Sequence, residues 1–168
     1  MTVFEAIAKL EKSKEFVSWK KEAKPAYLAH AFVMNDEANK GLWQIGYFNP
    51  KTNLITVFVV NGNIQRQPDA EVFKEQKKMV APLKLSEVKL DEIKAMEEGK
   101  KVLDENYKGT EVFRSFMILQ DLDKVGQVWN ITFVTQKFTT VNVKIDAKTG
   151  KCDSHKTISL ISDTKDTK

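Results

Sequence analysis

Apolar and polar residues alternate through two stretches of the chain, and both stretches follow one design. The first is Trp43-Gln-Ile-Gly-Tyr-Phe, a turn over 49–53, and Leu54-Ile-Thr-Val-Phe-Val-Val closing at Asn61-Gly62. The second begins at Val128-Trp129, turns at Gln136-Lys137, alternates again, and stops at Asp146-Ala-Lys-Thr-Gly150. Each reads as a β-hairpin, with Gly150 free to take a positive φ in the closing turn.

Helical periodicity frames these hairpins. Thr2 and Glu5 form a capping box, and Phe4, Ile7, Leu10, Phe16 and Val17 follow at helical spacing, which predicts a helix over 3–21 that Lys24-Pro25 ends. Residues 26–34 read as a strand, 63–67 as a shorter one, and 68–76 as a short helix with acidic residues in its first turn. A second helical stripe follows at Leu90, Ile93, Met96, Val102 and Leu103, with Gly99 its weak point. Strands are predicted over 112–120 and 152–161, and the polar tail 162–168 is expected to fray.

The halves superpose at an offset of 86 residues. Trp43 falls on Trp129, Ile45 on Ile131 and Val57 on Val143, while Phe4 falls on Leu90 and Ile7 on Ile93, with no gap over 4–59. A slip of one residue would turn every strand side chain to the wrong face. The pattern therefore predicts an α+β protein of two tandem α-β-β-β units, each a helix on an antiparallel sheet. Repeat 1 spans 1–67, a linker with a short helix 68–86, repeat 2 87–161, and a disordered tail 162–168. The expected core is Trp43, Ile45 and Val57 in one unit and Trp129, Ile131 and Val143 in the other. Each tryptophan reads as a plug between helix and sheet, the alternative being a solvent-exposed recognition residue.

Composition narrows the function classes. The chain has 168 residues, 42% apolar and 30% charged, ordinary for a folded domain. No apolar run reaches the ~20 residues of a membrane span. No signal peptide is visible, so the expectation is a cytoplasmic protein, or an extracytoplasmic one if a leader precedes Met1. The net charge of +4 rests on lysine, with Arg66 and Arg114 the only arginines. Lysines and acids are interspersed, as on solvated helix faces, and this argues against nucleic-acid binding. Cys152 is the single cysteine, so the chain forms no internal disulfide.

Catalytic constellations are absent from the sequence. His30 lies in an apolar strand and reads as packed, and His155 reads as exposed. Asp121-Leu-Asp123 is the nearest approach to a cation loop, and it reads better as a solvated turn. Glu97 and Glu98 face different directions on a helix and make no carboxylate pair. No Gly-rich phosphate loop and no nucleophile elbow is present. The chain is read as a non-enzyme without cofactor or metal.

The second unit resembles the PepSY family. The matching elements are the helix over 90–103, Trp129-Asn-Ile-Thr-Phe, and Val143-Lys-Ile-Asp-Ala-Lys-Thr-Gly-Lys, similar to the family's V-x-(V/I)-D-x-x-T-G-x run. The first unit departs from it, with Asn61-Gly62 in the closing turn and no Asp at the place of Asp146. The resemblance implies a cystatin-like fold with a helix cradled by a curved sheet. It also implies an extracytoplasmic setting and a role in binding, restraint of a peptidase being one form. Asp146, Thr149 and Gly150 have a plain reading as turn chemistry.

The halves differ on the sheet face away from the helix. The offset places Phe48, Phe58 and Val60 there in repeat 1, and Val134, Lys144 and Asp146 in repeat 2. An apolar outward face needs a cover. Phe48, Phe58 and Val60 are accordingly the candidate partner-binding residues, for a protein partner or a second copy of the chain. Carriage of a small apolar ligand between helix and sheet, or a structural homodimer, are the other readings.

Overall fold

Two segments, Tyr27-Leu-Ala-His-Ala-Phe-Val-Met and the run ending Phe116-Met-Ile-Leu, are apolar in near-continuous runs, as strands flanked on both sides are. In the computed structural model, which describes residues 1–72 and 79–159, they are the central strands. Strand β1 (Tyr27–Met34) pairs antiparallel with β6 (Val112–Leu122), with His30 opposite Gln120, Phe32 opposite Ile118 and Met34 opposite Phe116. This ladder fuses both halves into one nine-stranded sheet.

The other strands are β2 (Trp43–Asn49), β3 (Leu54–Val60), β4 (Ile64–Arg66), β5 (Ala70–Glu71), β7 (Gly126–Thr135), β8 (Thr139–Asp146) and β9 (Cys152–Ser159). The order is β4-β3-β2-β1-β6-β7-β8-β9, with β5 also on β3. The expectation of two tandem cystatin-like helix-on-sheet units is thus overturned. The protein is a sheet-dominated fold with one shared hydrophobic core. Of the helix expected over 68–76, Ala70–Glu71 is strand, and 73–76 lie outside the described residues, as does the tail 162–168.

The long first helix is two helices, α1 (Val3–Glu11) and α2 (Lys14–Glu22). The capping box at Thr2 and Glu5 starts α1. The hydroxyl of Ser13 accepts from the Phe16 amide at 3.1 Å and caps α2, starting a new helix there. Leu10 and Phe16, expected on one helical stripe, lie on two separate helices. Phe16 and Trp19 turn inward, while Val17 is 44% exposed. Helix α3 (Glu92–Asn106), capped by Asp91, carries the second stripe.

All three helices lie on one face. Phe16 and Trp19 pack on Tyr47 and Phe58. Trp43 donates its indole N–H to the Met1 carbonyl, and Trp129 donates to the Leu90 carbonyl. Both indoles are buried core plugs, and loss of either is of the order of 3–5 kcal/mol.

Opposed residues share a face. The covered face contains the row Val60–Trp43–Val33–Met117–Ile131–Val143 and the row Phe58–Ile45–Ala31–Leu119–Trp129–Ile145. Trp43 is opposite Val60 and Trp129 is opposite Ile145, so β8 lies 85 residues beyond β3 rather than 86. The β2–β3 turn is one residue longer than the β7–β8 turn, and a one-residue shift reverses a strand's faces. Phe58 and Val60 are therefore core, and Val57, expected inside, faces out half-buried. The helices depart further, since the N-caps Thr2 and Asp91 are 89 apart. That places Ile7 over Met96, and Ile93, its expected counterpart, is 59% exposed.

Gly99 is where α3 comes closest to the sheet. A Cβ there would stand 2.5 Å from Ile131 Cδ1 and 3.6 Å from Phe133 Cζ. Gly99→Val is expected to cost about 1–3 kcal/mol through overpacking, although it removes a helix-weak glycine. Urea unfolding measures this, and an unchanged midpoint would show that α3 does not approach Ile131 so closely.

Candidate functional site

The uncovered face of the sheet changes character from one side to the other. One row runs Val59–Gln44–Phe32–Ile118–Asn130–Lys144–Ser154, and the next Val57–Gly46–His30–Gln120. Beyond them lie Ile55–Phe48–Tyr27 on one side and Met34–Phe116–Thr132–Asn142–Lys156 on the other. Strands β3, β1 and β6 thus present mainly aliphatic and aromatic side chains, interrupted by Gln44 of β2, His30 and Gln120, and β7, β8 and β9 present amides, hydroxyls and lysines. On the polar side Asn142 donates to Asn130 Oδ1 at 2.6 Å and to Thr132 Oγ1 at 3.1 Å, a network that fills that surface.

Of the three residues expected to bind a partner, only Phe48 lies on this face. It is buried, with its ring 5.7 Å from Tyr27. Phe58 and Val60 are in the core beneath the helices. The residues that take their place outside are Ile55, Val57, Val59, Phe32, Phe116 and Ile118, all half-exposed. The unequal turn lengths of the two hairpins were the available signal for the exchange on β3.

A shallow groove of about 410 Å³ runs over β1, lined by His30, Phe32, Met34, Gln44, Ile118 and Gln120. Gly46 shapes its end. A Cβ at Gly46 would lie 2.2 Å from His30 Cε1, so the imidazole lies flat across the glycine. Burial holds this imidazole below the ordinary histidine range, and it is neutral at pH 7.

The remaining candidates resolve as structure. Asp146 Oδ1 accepts from the amides of Lys148 at 2.9 Å and Thr149 at 2.7 Å, and Gly150 adopts φ +78°. Partial burial would raise the Asp146 carboxyl, but these donors outweigh it and hold it below the ordinary range. Asn61 does the same work in the other half, accepting from Gly62 and Asn63. In the observed register, 85 residues apart, Asn61 stands where Asp146 does, whereas the gap-free offset places Val60 there. His155 Nδ1 meets the Tyr107 hydroxyl at 2.8 Å. Burial and then Asp153 push the Cys152 thiol up, the opposite of an activated nucleophile. Glu98 pairs with Lys101 at 2.7 Å, and Glu97 stands exposed. Among the described residues no three of His, Cys, Asp and Glu gather as metal ligands, and no helix is long and apolar enough to cross a membrane.

No protein-family model matches the chain, and no curated protein matches it. Among solved structures, it is similar to the crystal structure of a putative lipoprotein from Clostridium difficile 630, with a TM-score of 0.55 and 17% identity. The match covers 86% of this chain and 90% of that one. At that identity the likeness concerns the fold alone.

Two outcomes test the site's geometry. Gly46→Ala is expected to lift the imidazole off the sheet and bring the His30 titration midpoint up toward the ordinary value of about 6.5. Proton NMR titration reads this, and an unmoved midpoint would contradict the stacking. Asp146→Ala is expected to lower stability at pH 7 by about 1 kcal/mol. Because the folded-state value of Asp146 is depressed, its contribution is present above the unfolded value and is lost as pH falls through the folded one. Urea titrations at pH 7 and at acid pH should show the difference between variant and parent closing.

Proposed function

We propose that the protein is a non-enzymatic binding module whose working surface is the apolar half of the uncovered sheet face. The observation that supports this is the row structure itself, with β3, β1 and β6 presenting Val59, Val57, Phe32, Phe116 and Ile118 on the side opposite the three helices. An antiparallel sheet leaves a face in water when that face is polar, as the β7–β9 half is.

Size and charge select the occupant. Three strand spacings across and about six residues along give a patch of roughly 300–400 Å². A stable protein–protein interface takes about 800 Å² from each partner, so a second copy packed through this patch alone is undersized. A single amphipathic helix, with a body about 10 Å wide, matches it. Lys144, Lys156 and Arg114 flank the patch on the same face, and Asp146, which continues the Gln120 row through Val128, is engaged by its own turn. The partner is therefore a protein segment with an apolar stripe and an acidic flank. Restraint of a peptidase is the form of binding that the PepSY resemblance adds. An extracytoplasmic setting belongs to the same proposal, and the PepSY resemblance is what carries it.

Fluorescence anisotropy with three synthetic helical peptides tests the reading: one leucine stripe flanked by acids, the same stripe flanked by lysines, and a scrambled acidic sequence. The acidic amphipathic peptide is expected to bind best. Phe32→Asp and Ile118→Asp, with unchanged circular dichroism, are expected to weaken it at least tenfold, or about 1.4 kcal/mol. Equal binding by parent and variants would sink the proposal. A change confined to oligomeric size on gel filtration would make the face an assembly surface.

A further inference from the structure

A second concavity lies on the helix side, at the seam of the two halves. Helix α1 sits over β2 and β3, and α3 sits over β7, β8 and β9. A helix covers about 10 Å of sheet, or two strands, so the seam strands β1 and β6 lie under the gap between the two helices. The gap is a cavity of about 750 Å³. Its floor is Val33, Trp43 and Met117 from the sheet with Met96 from α3, all buried. Met1 completes the wall and the end of β1 at Met34 borders it, so Met1, Met96 and Met117 are the methionines of the helix side that meet there.

The rim is charged. The β1–β2 loop contributes Asp36, Glu37 and Lys40, and α3 contributes Glu92, Glu97 and Lys100. Three of these groups, Asp36, Glu37 and Lys40, are already engaged within their own loop. Lys40 stands 3.9 Å from Glu37, and Asp36 Oδ1 accepts from the amide and side chain of Asn39. Glu92 is different. Its Oε2 accepts from the Val3 amide at 3.1 Å, where the starts of α1 and α3 meet, and it is half-buried. Burial pushes its carboxyl above the ordinary range, against the backbone amides, that of Val3 among them, that act in the opposite sense.

We propose that this cavity is a binding site for a small amphipathic cation, an apolar body carrying one positively charged head. The volume lies within the ~300–1,000 Å³ of small-molecule sites. Thioether side chains are flexible and polarisable, and they adapt to apolar bodies of differing shape. The head group sits between Glu92 and Glu97, where a positive charge replaces the hydration that burial removed from Glu92. An anionic head meets those same carboxylates. This site is separate from the uncovered sheet face, and it does not depend on the function proposed for that face.

Isothermal titration with octyltrimethylammonium, octyl sulfate and octyl glucoside, each below its micellar concentration, tests the proposal. The ammonium compound is expected to bind one to one and to perturb the emission of Trp43, with the sulfate at least tenfold weaker. Glu92→Gln keeps an acceptor for the Val3 amide and is expected to weaken the ammonium compound about tenfold. Lys100→Glu is expected to tighten it, and Val33→Phe, which fills the floor, to abolish binding of all three. Phe32→Asp, on the other face, is expected to leave binding unchanged, so failure of this site and failure of the sheet-face proposal are told apart. Equal or tighter binding of the sulfate, or no effect of both Glu92→Gln and Lys100→Glu, would overturn the assignment.

Discussion

Two indole N–H groups hold this fold to its plan. Trp43 donates at 3.1 Å to the carbonyl of Met1, and Trp129 donates at 3.0 Å to the carbonyl of Leu90. Each carbonyl belongs to the residue just before a helix N-cap, Thr2 in one case and Asp91 in the other. A buried indole has one polar atom, and leaving it unpaired is costly. Satisfying it at the entrance of a helix sets where that helix begins on the sheet. The two rings also lie 6.3 Å apart, so the pins for α1 and α3 touch each other across the seam. The single core, the uncovered seam and the cavity above it all follow from this placement.

Much of the architecture is legible in the chain because it is local. Hairpins, caps and the turn at Asp146 announce themselves through alternation and Asx chemistry within a few residues. What fails is the transfer of register between halves. A gap-free offset holds for β1 and β2 against β6 and β7, is wrong by one for β3 against β8, and by three for α1 against α3. The first error reverses a strand and exchanges Phe58 and Val60 for Val57 and Val59; the second exposes Ile93 in place of Met96. Apolar identity alone cannot detect either, because β3 reads Leu-Ile-Thr-Val-Phe-Val-Val, apolar on both faces. The fused sheet is hidden for another reason. Pairing of β1 with β6 joins residues about ninety apart, and its local trace is the missing alternation in both strands.

The two sheet faces divide the labour. The covered face is spent on helices, and its one weakness is the seam that two helices cannot roof. The uncovered face carries its apolar side chains on β3, β1 and β6, among Gln44, His30 and Gln120, and is polar across β7 to β9. The candidate sites therefore lie back to back on the same pair of central strands. Val33 and Met117 line one, and Phe32 and Ile118 the other, as successive residues must when side chains alternate.

The β1–β6 ladder also bears on how the chain folds. Every other strand pair closes through a short connection, so the hairpins on each side of the seam form from near neighbours in sequence. The ladder that unites them closes a loop of some eighty to ninety residues, whose entropy must be met before any of its hydrogen bonds is gained. Joining the halves is accordingly the slow event, and until it happens β1 and β6 each present an open, apolar edge. Those are the edges on which a partly folded chain can pair with a neighbour instead of with itself.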